Sequence, residues 1–157
     1  MGLKAGGPLF AVRDMGASLR FYQDVLGLEV VQDFGANKVL TGGLSLQTME
    51  TWAQFLDKAP DDIRFRGNDA EMYYVADDFD DFLTALKGHP EAKLVHPVVE
   101  HRWGQRAVRL YDPDGHIIEV GESLSKVAKR FRDSGLHEEG VARRMDISLE
   151  YARELLK

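Results

Sequence analysis

The most constraining feature of the sequence is a strand–helix–strand–strand–strand order that occurs twice in the 157 residues. The first copy is predicted over residues 8–49 and the second over residues 70–121. Asp14 and Asp78 stand where each helix should begin, 64 residues apart, and Asp is a common N-cap residue. Apolar residues three and four apart follow each Asp, as expected of amphipathic helices. The repeat predicts an α+β fold built from two βαβββ modules.

The predicted strands of both copies are short apolar or alternating runs bounded by turn residues. They cover residues 8–13, 28–31, 37–40, 44–49, 71–76, 93–95, 106–111 and 116–120. Each module has one helix for one sheet face, so the other face must be covered or concave. We expect the two modules to pair into a curved, cup-forming mixed sheet. A cup of this kind is a common place for a small-molecule site.

Composition excludes several classes of protein. No cysteine is present, so neither a disulfide framework nor a thiolate site can form. No apolar run is long enough to cross a membrane and the start lacks a signal-peptide core, which predicts a cytoplasmic protein. Residues 1–121 hold 12 of the 20 Lys and Arg and 19 of the 26 Asp and Glu, a net charge of −7. Such an acidic body disfavours binding to nucleic acid.

The residues after the second module, 122–157, are predicted to form a helical tail. Residues 126–132 indicate a basic amphipathic helix, residues 137–145 a second helix, and Ser148 is the expected N-cap of a third. The segment 141–151 resembles the turn of a helix-turn-helix. Four glutamates would oppose phosphate contacts, so packing on the domain is favoured over DNA binding; they are Glu138, Glu139, Glu150 and Glu154.

Three segments in register resemble the vicinal oxygen chelate superfamily, which contains glyoxalase, bleomycin-resistance and extradiol-dioxygenase proteins. The opening segment is Phe10-Ala-Val-Arg-Asp14 with Leu26-Gly27-Leu28. The second is Glu71-Met-Tyr-Tyr followed by Asp78-Phe-Asp-Asp-Phe82, and the third runs from Trp103-Gly-Gln-Arg106 to Asp112-Pro-Asp-Gly-His-Ile-Ile-Glu119. The resemblance implies a domain over residues 1–121, and homodimers are usual in this superfamily.

The resemblance also implies where a metal would bind, because the enzymes of the superfamily hold one with residues of the first, fourth, fifth and eighth strands. The matching positions here are Gly7, Gln47, Glu71 and Glu119. Gly7 has no side chain. The other three would form an all-oxygen site better suited to Mg or Mn than to zinc. The predicted cofactor is therefore one such divalent metal or none. If no metal binds, Glu71 would form an ion pair at the start of its strand, and Glu119 would be a carboxylate of the ligand pocket.

The rest of the predicted ligand pocket comes from strand alternation and from aromatic residues near loops. Core packing is the default interpretation for the aromatic residues. The full pocket prediction comprises Leu9, Ala11, Gln47, Trp52, Glu71, Tyr73, Trp103, Ile117 and Glu119. These residues would give a largely apolar cup with acidic positions, which suits an organic ligand that is planar or cationic.

Three functions are compatible with these residues. The first is a small-molecule-binding protein of the bleomycin-resistance type. The second is a metal-dependent lyase, isomerase or dioxygenase of the glyoxalase type, in which the metal would act as a Lewis acid. The third is a regulatory module in which a bound ligand repositions the helical tail. The sequence does not identify the ligand, because one fold in this superfamily serves several chemistries.

Overall fold

The structure is a computed structural model that describes residues 2–157. It contains eight strands and six α-helices in the order predicted from the repeat. The strands are β1 Leu9–Val12, β2 Val30–Asp33, β3 Asn37–Leu40, β4 Ser45–Thr48, β5 Glu71–Ala76, β6 Lys93–Glu100, β7 Arg106–Tyr111 and β8 Ile117–Glu122. The helices are α1 Met15–Arg20, α2 Met49–Phe55, α3 Phe79–Leu86, α4 Leu124–Asp133, α5 Glu138–Met145 and α6 Leu149–Leu156.

The helices of the two modules begin at the predicted caps. The Asp14 carboxylate accepts a hydrogen bond from the backbone N–H of Ala17 at 2.9 Å. The Asp78 carboxylate accepts from the N–H groups of both Asp80 and Asp81 at 3.0 Å. Helix α1 continues into a π-helical turn, Phe21–Val25, that the apolar spacing did not predict. Both caps satisfy N–H groups that the first helical turn leaves without a backbone partner.

Each module forms a four-stranded sheet with the same strand order. The first sheet runs β1-β4-β3-β2, with β1 parallel to β4 and the other pairs antiparallel. The second runs β5-β8-β7-β6. In each, the last strand of the module lies between its first strand and the rest. The predicted α+β fold of two βαβββ modules with C-terminal helices is therefore confirmed.

Strand β6 is longer than predicted, since it runs through Pro97 to Glu100. Proline cannot donate a ladder hydrogen bond and normally argues against a central strand. Strand β6 lies at the edge of its sheet, where one side of the strand has no partner strand. A proline is tolerated at such an edge, which explains the difference in length.

The chain forms two compact units. The first comprises the residues up to Met72, His89–Lys93 and Leu110–Ile118. Its fully buried core includes Val12, Tyr22, Leu40, Leu44 and Leu46. No helix within residues 2–157 is both long enough and apolar enough to cross a membrane.

The second unit comprises Tyr73–Gly88, Leu94–Arg109 and Glu119–Lys157, and so contains the helical tail. Helices α4, α5 and α6 enclose a small apolar core, made of Val127, Ala128, Val141, Ala142, Met145 and Ala152. Trp103 and Phe131 pack against this core. Gly104 has φ +86°, and a Cβ at that position would collide with the Phe131 ring. The loop before β7 is thus fitted closely against the tail.

Candidate functional site

Gln47, predicted as a ligand on the fourth strand, is buried on β4 in the first unit and 3% exposed. Its carboxamide oxygen accepts a hydrogen bond from the Asn37 side-chain amide at 2.8 Å. Its Nε2 group donates to the Thr51 hydroxyl at 2.6 Å. Ala11 lies opposite Gln47 in the parallel β1–β4 pair. The amide is held at both ends by its own neighbours.

Gly7 occupies the predicted first-strand ligand position, and its backbone excludes a larger residue. Its φ is +106°, a conformation that L side chains rarely adopt. A Cβ at Gly7 would lie 2.7 Å from the carbonyl oxygen of Gly43, closer than packing allows. The position therefore lacks a ligand now and could not gain one without moving the backbone.

Glu119, the predicted eighth-strand ligand, lies on β8 in the second unit and is 7% exposed. The Arg109 guanidinium on β7 donates a charge-assisted hydrogen bond to its carboxylate. A buried carboxylate needs a cation or several donors to offset its lost hydration. In this structure the chain supplies that cation itself.

The Nη1 atom of Arg109 also lies 3.4 Å from the Nε2 atom of His96 on β6. The Nδ1 atom of His96 is 2.7 Å from the Pro97 carbonyl oxygen, an atom that can only accept. Nδ1 therefore carries the proton in this arrangement, and Nε2 is left to accept from Arg109. The result is a line of polar groups across three strands: Glu119, Arg109 and His96.

Arg109 was not predicted as a site residue, although the sequence contains a signal for it. The predicted turn brings the Asp112 N–H to the His116 carbonyl oxygen at 3.0 Å, which fixes the register of the β7–β8 hairpin. Arg109 lies three residues before Asp112 on β7, and Glu119 lies three residues after His116 on β8. Residues opposite each other in an antiparallel pair have side chains on the same face. Counting from the turn would therefore have paired them.

The face that carries Glu119 and Arg109 is apolar at its edges. The Tyr73 ring on β5 lies over Gly121, two residues after Glu119, so Tyr73 shares this face. Tyr73 is 43% exposed and Val75, two residues on, is 54% exposed. On β6, Leu94 and Val98 flank His96 on the same face and are also exposed. This surface, which we call the Arg109 face, has a charged centre and apolar borders.

The Tyr73 hydroxyl begins a chain of hydrogen bonds within the second unit. It accepts from Nε2 of Gln105 at 2.9 Å, and the Gln105 amide oxygen accepts from the Trp103 indole N–H at 3.0 Å. Burial raises the pKa of Tyr73 above its ordinary value, the Gln105 hydrogen bond lowers it and the Glu119 charge raises it further. Trp103 stacks on His101 and packs against the tail core. Trp103 therefore serves as a structural link between this network and the tail.

The remaining predicted residues all lie in the first unit. Leu9 is half-buried on β1, beside Ala11, and Trp52 is half-buried on α2. Glu71 begins β5 on the exposed surface, and Ile117 is half-buried at the start of β8. The structure thus brings Leu9, Ala11 and Gln47 together in one unit, and Tyr73, Trp103 and Glu119 in the other.

The mapped residues do not fit a divalent metal. Gly7 cannot supply a ligand, the Gln47 amide is engaged at both ends, and the Glu119 carboxylate is paired with a guanidinium. A catalytic metal generally needs three protein ligands with free lone pairs and an open position. Within residues 2–157 no group of three His, Asp or Glu side chains is placed to hold a metal ion.

A family model described as Glyoxalase-like domain matches residues 5–125 of the chain. A protein of unknown function from Agrobacterium tumefaciens str. C58 has a similar structure, with a TM-score of 0.69 and 32% identity, over 78% of this chain and 96% of that one. No curated protein matches the chain.

Two more distant structures show the same fold. A glyoxalase-related enzyme from Fulvimarina pelagi matches 78% of this chain and 91% of its own, with 18% identity and a TM-score of 0.64. A glyoxalase/bleomycin resistance protein/dioxygenase from Nocardioides matches 78% and 85%, with 15% identity and a TM-score of 0.61. At these identities the likeness concerns the fold alone.

Proposed function

Since this chain belongs to the Glyoxalase-like domain family, within the vicinal oxygen chelate superfamily, we propose that it is a small-molecule-binding protein of the bleomycin-resistance type. The ligand is a planar organic molecule that lies on the Arg109 face. The observation that carries this proposal is the pairing of Arg109 with Glu119. At a position where the superfamily's enzymes use a carboxylate to hold a metal, this carboxylate holds a guanidinium.

The ligand's character follows from the groups on the Arg109 face. Exposed Tyr73, Val75, Leu94 and Val98 offer apolar contact to a flat molecule. The guanidinium of Arg109 is planar, permanently charged and rich in N–H donors. Its N–H groups favour a ligand with an oxygen acceptor over a cation, which offers no acceptor. Of the two ligand characters predicted from the sequence, planar is therefore favoured over cationic.

A thermal-shift comparison tests this proposal, because a ligand that binds the native state raises the melting temperature. Naphthoate and naphthylmethylammonium, flat molecules of similar size and opposite charge at neutral pH, are compared in the presence of EDTA. We expect naphthoate to raise the melting temperature of the wild type. The shift of each variant is measured relative to the melting temperature of that variant without ligand. Tyr73→Ala and Arg109→Gln should reduce the shift, and Arg102→Gln, an exposed arginine elsewhere in the second unit, should leave it unchanged.

Two results would contradict the proposal. If naphthylmethylammonium alone gave a shift, the ligand would be cationic. If binding appeared only when Mg or Mn replaced EDTA, and Glu119→Gln abolished both binding and metal uptake, the metal-dependent lyase, isomerase or dioxygenase function would take its place.

A second candidate function, ligand-responsive regulation through the tail, is favoured by the hydrogen-bond chain from Tyr73 through Gln105 to Trp103. Tyr73 lies on the proposed binding face, and Trp103 packs on the tail core. A ligand that moved Tyr73 would act on groups in direct contact with the tail. Coupling of this kind typically amounts to about 1–3 kcal/mol and acts in both directions.

Hydrogen exchange of helices α4, α5 and α6 with and without naphthoate measures this coupling. We expect the ligand to alter exchange in the tail of the wild type. The effect should be smaller in Trp103→Phe, which keeps a ring but lacks the indole N–H. Trp52→Phe, on α2, is the matched control. Equal tail exchange with and without a bound ligand would end the regulatory hypothesis.

We also propose that the chain forms a homodimer, as the resemblance implied. Exposed apolar side chains at the edge strand β2, Val31 and Phe34, lie outside the Arg109 face and support this, since large apolar areas are usually covered in solution. Light scattering on the eluting protein gives the mass directly. A monomer at all concentrations would contradict the proposal.

A further inference from the structure

The first unit contains an open cavity of about 420 Å³ that shares no residue with the Arg109 face. One wall is the face of α1 and its π-helical continuation that carries Arg20, Phe21 and Asp24. The others come from the loop at Arg66, the start of β6 and the turn after β7. The volume is within the range of small-molecule sites.

Three cations line the cavity: Arg20, Arg66 and Lys93. Over residues 2–157, none of them is in ion-pair contact with a carboxylate; the first unit's ion pairs use Arg13, Lys38, His89 and His116 instead. Cations without a carboxylate partner keep their N–H groups for an anion that enters the cavity.

The carboxylates of the cavity are mostly engaged elsewhere. Asp112 is buried, and it accepts hydrogen bonds from the Tyr22 hydroxyl at 2.8 Å and from the backbone N–H of His116. Glu91 pairs with His89 at 3.0 Å. Asp24 is the remaining lining carboxylate. Two of the three lining carboxylates are therefore engaged by other protein groups, and in the described part of the chain none of the three pairs with a lining cation.

The loop that carries Arg66 is held in a strained conformation. Arg66 has φ +62° and Asn68 has φ +57°, in the left-handed region that non-glycine residues seldom adopt. Asn tolerates this region, but for Arg66 it costs about 1–3 kcal/mol and persists because the surroundings fix it. The Asn68 side-chain oxygen accepts from the Tyr111 hydroxyl at 2.9 Å, and the Arg66 side chain packs over Gly115. These contacts hold Arg66 at the cavity.

We infer that this cavity is a second binding site, for a small organic anion with a flat ring and a phosphate or carboxylate group. Arg20, Arg66 and Lys93 bind the anionic group, and Phe21 and Tyr111 contact the ring. Guanidinium groups suit both anions because their donors form a planar fork. The cations are exposed, so affinity falls as ionic strength rises.

Isothermal titration with phenyl phosphate, at low and high salt, tests the inference, with benzoate as the carboxylate arm. We expect one molecule per chain on this site and weaker binding at high salt. Lys93→Gln and Arg66→Asn should each weaken binding about tenfold, the loss expected of one charge-assisted hydrogen bond. Asn tolerates the left-handed region, so the second variant removes the charge without adding backbone strain. Lys87→Gln, in the second unit, is the control.

This experiment distinguishes the proposed cavity site from the proposed site on the Arg109 face. If phenyl phosphate does not bind, or if Arg66→Asn and Lys93→Gln both bind as the wild type does, the inference is wrong. If instead Arg109→Gln abolishes binding, the anion occupies the Arg109 face, and the cavity is not the site. Phenol and inorganic phosphate tested alone show whether ring and anion are both required.

Discussion

Arg109 and Glu119 lie opposite each other on β7 and β8, and the guanidinium of one neutralises the buried carboxylate of the other. Removing one partner of a buried ion pair costs about 3–5 kcal/mol, because the other charge loses its partner in a poorly hydrated site. We expect Arg109→Met to lower the free energy of unfolding by about 3 kcal/mol, measured by urea denaturation. The double variant Arg109→Met/Glu119→Gln should recover part of that loss.

The control for this pair is the exposed ion pair of Arg102 and Asp146, whose side chains are 77% and 65% exposed. Solvent screens such pairs, so Arg102→Met should change the free energy of unfolding by under about 1 kcal/mol. If Arg109→Met lowered the free energy of unfolding by a similarly small amount, the Arg109–Glu119 pair would contribute no more to stability than an exposed ion pair does.

Gly7 gives a prediction about metal binding. Gly7→His adds the side chain that the superfamily's metal site would need, but the added Cβ meets the Gly43 carbonyl oxygen. We expect the variant to be less stable by at least about 1 kcal/mol and to retain no stoichiometric Mn or Mg after dialysis. Gly6→His has open space around it and should fold as the wild type does. A one-to-one metal content in Gly7→His would show that the site is intact.

Tyr74 gives a prediction about pH. Its hydroxyl is buried without a hydrogen-bond partner among the described residues, and burial raises its pKa to about 12. Since the folded state holds this proton more tightly than the unfolded state, stability is full below pH 10 and falls as pH rises toward 12. Tyr74→Phe should lessen that fall and cost little at neutral pH. Denaturation curves at pH 7 and 11 measure both effects, and an unchanged alkaline slope would contradict the assignment.

Gly104 and Gly135 separate packing from backbone strain in the tail. Both have positive φ, but a Cβ at Gly104 would strike the Phe131 ring and one at Gly135 would meet open space. We expect Gly104→Ala to speed hydrogen exchange in helices α4, α5 and α6 more than Gly135→Ala does. Equal effects would mean that strain alone, and not contact with Phe131, governs both positions.

The sequence was sufficient for most of the fold because local signals agreed with tertiary structure. Asp14 and Asp78 cap their helices as predicted, and Ser148 caps α6 through the Tyr151 N–H. The extension of β6 through Pro97 depended on its place at a sheet edge, which no local pattern contains. Local patterns predict elements, and the order of strands in a sheet decides where they end.

The candidate site was less predictable than the fold. Gln47 and Glu119 were predicted as site residues from their positions in the motifs. Their partners Asn37, Thr51 and Arg109 depend on register and packing. Trp103 was predicted as a pocket wall with core packing as the default, and the structure shows it packed on the tail. The sequence position of a residue in its strand predicts which face its side chain occupies, whereas the partners of that side chain depend on the residues of neighbouring strands and helices.

Glu122, buried at the end of β8, binds Arg106 on β7 and Arg130 on α4. The family match ends at residue 125, so one of these two partners lies beyond it. A gene shortened at that boundary would encode a buried acid deprived of Arg130 and a Gly104 loop deprived of Phe131. The boundary of the family match therefore cuts through contacts that the second unit makes with its own tail.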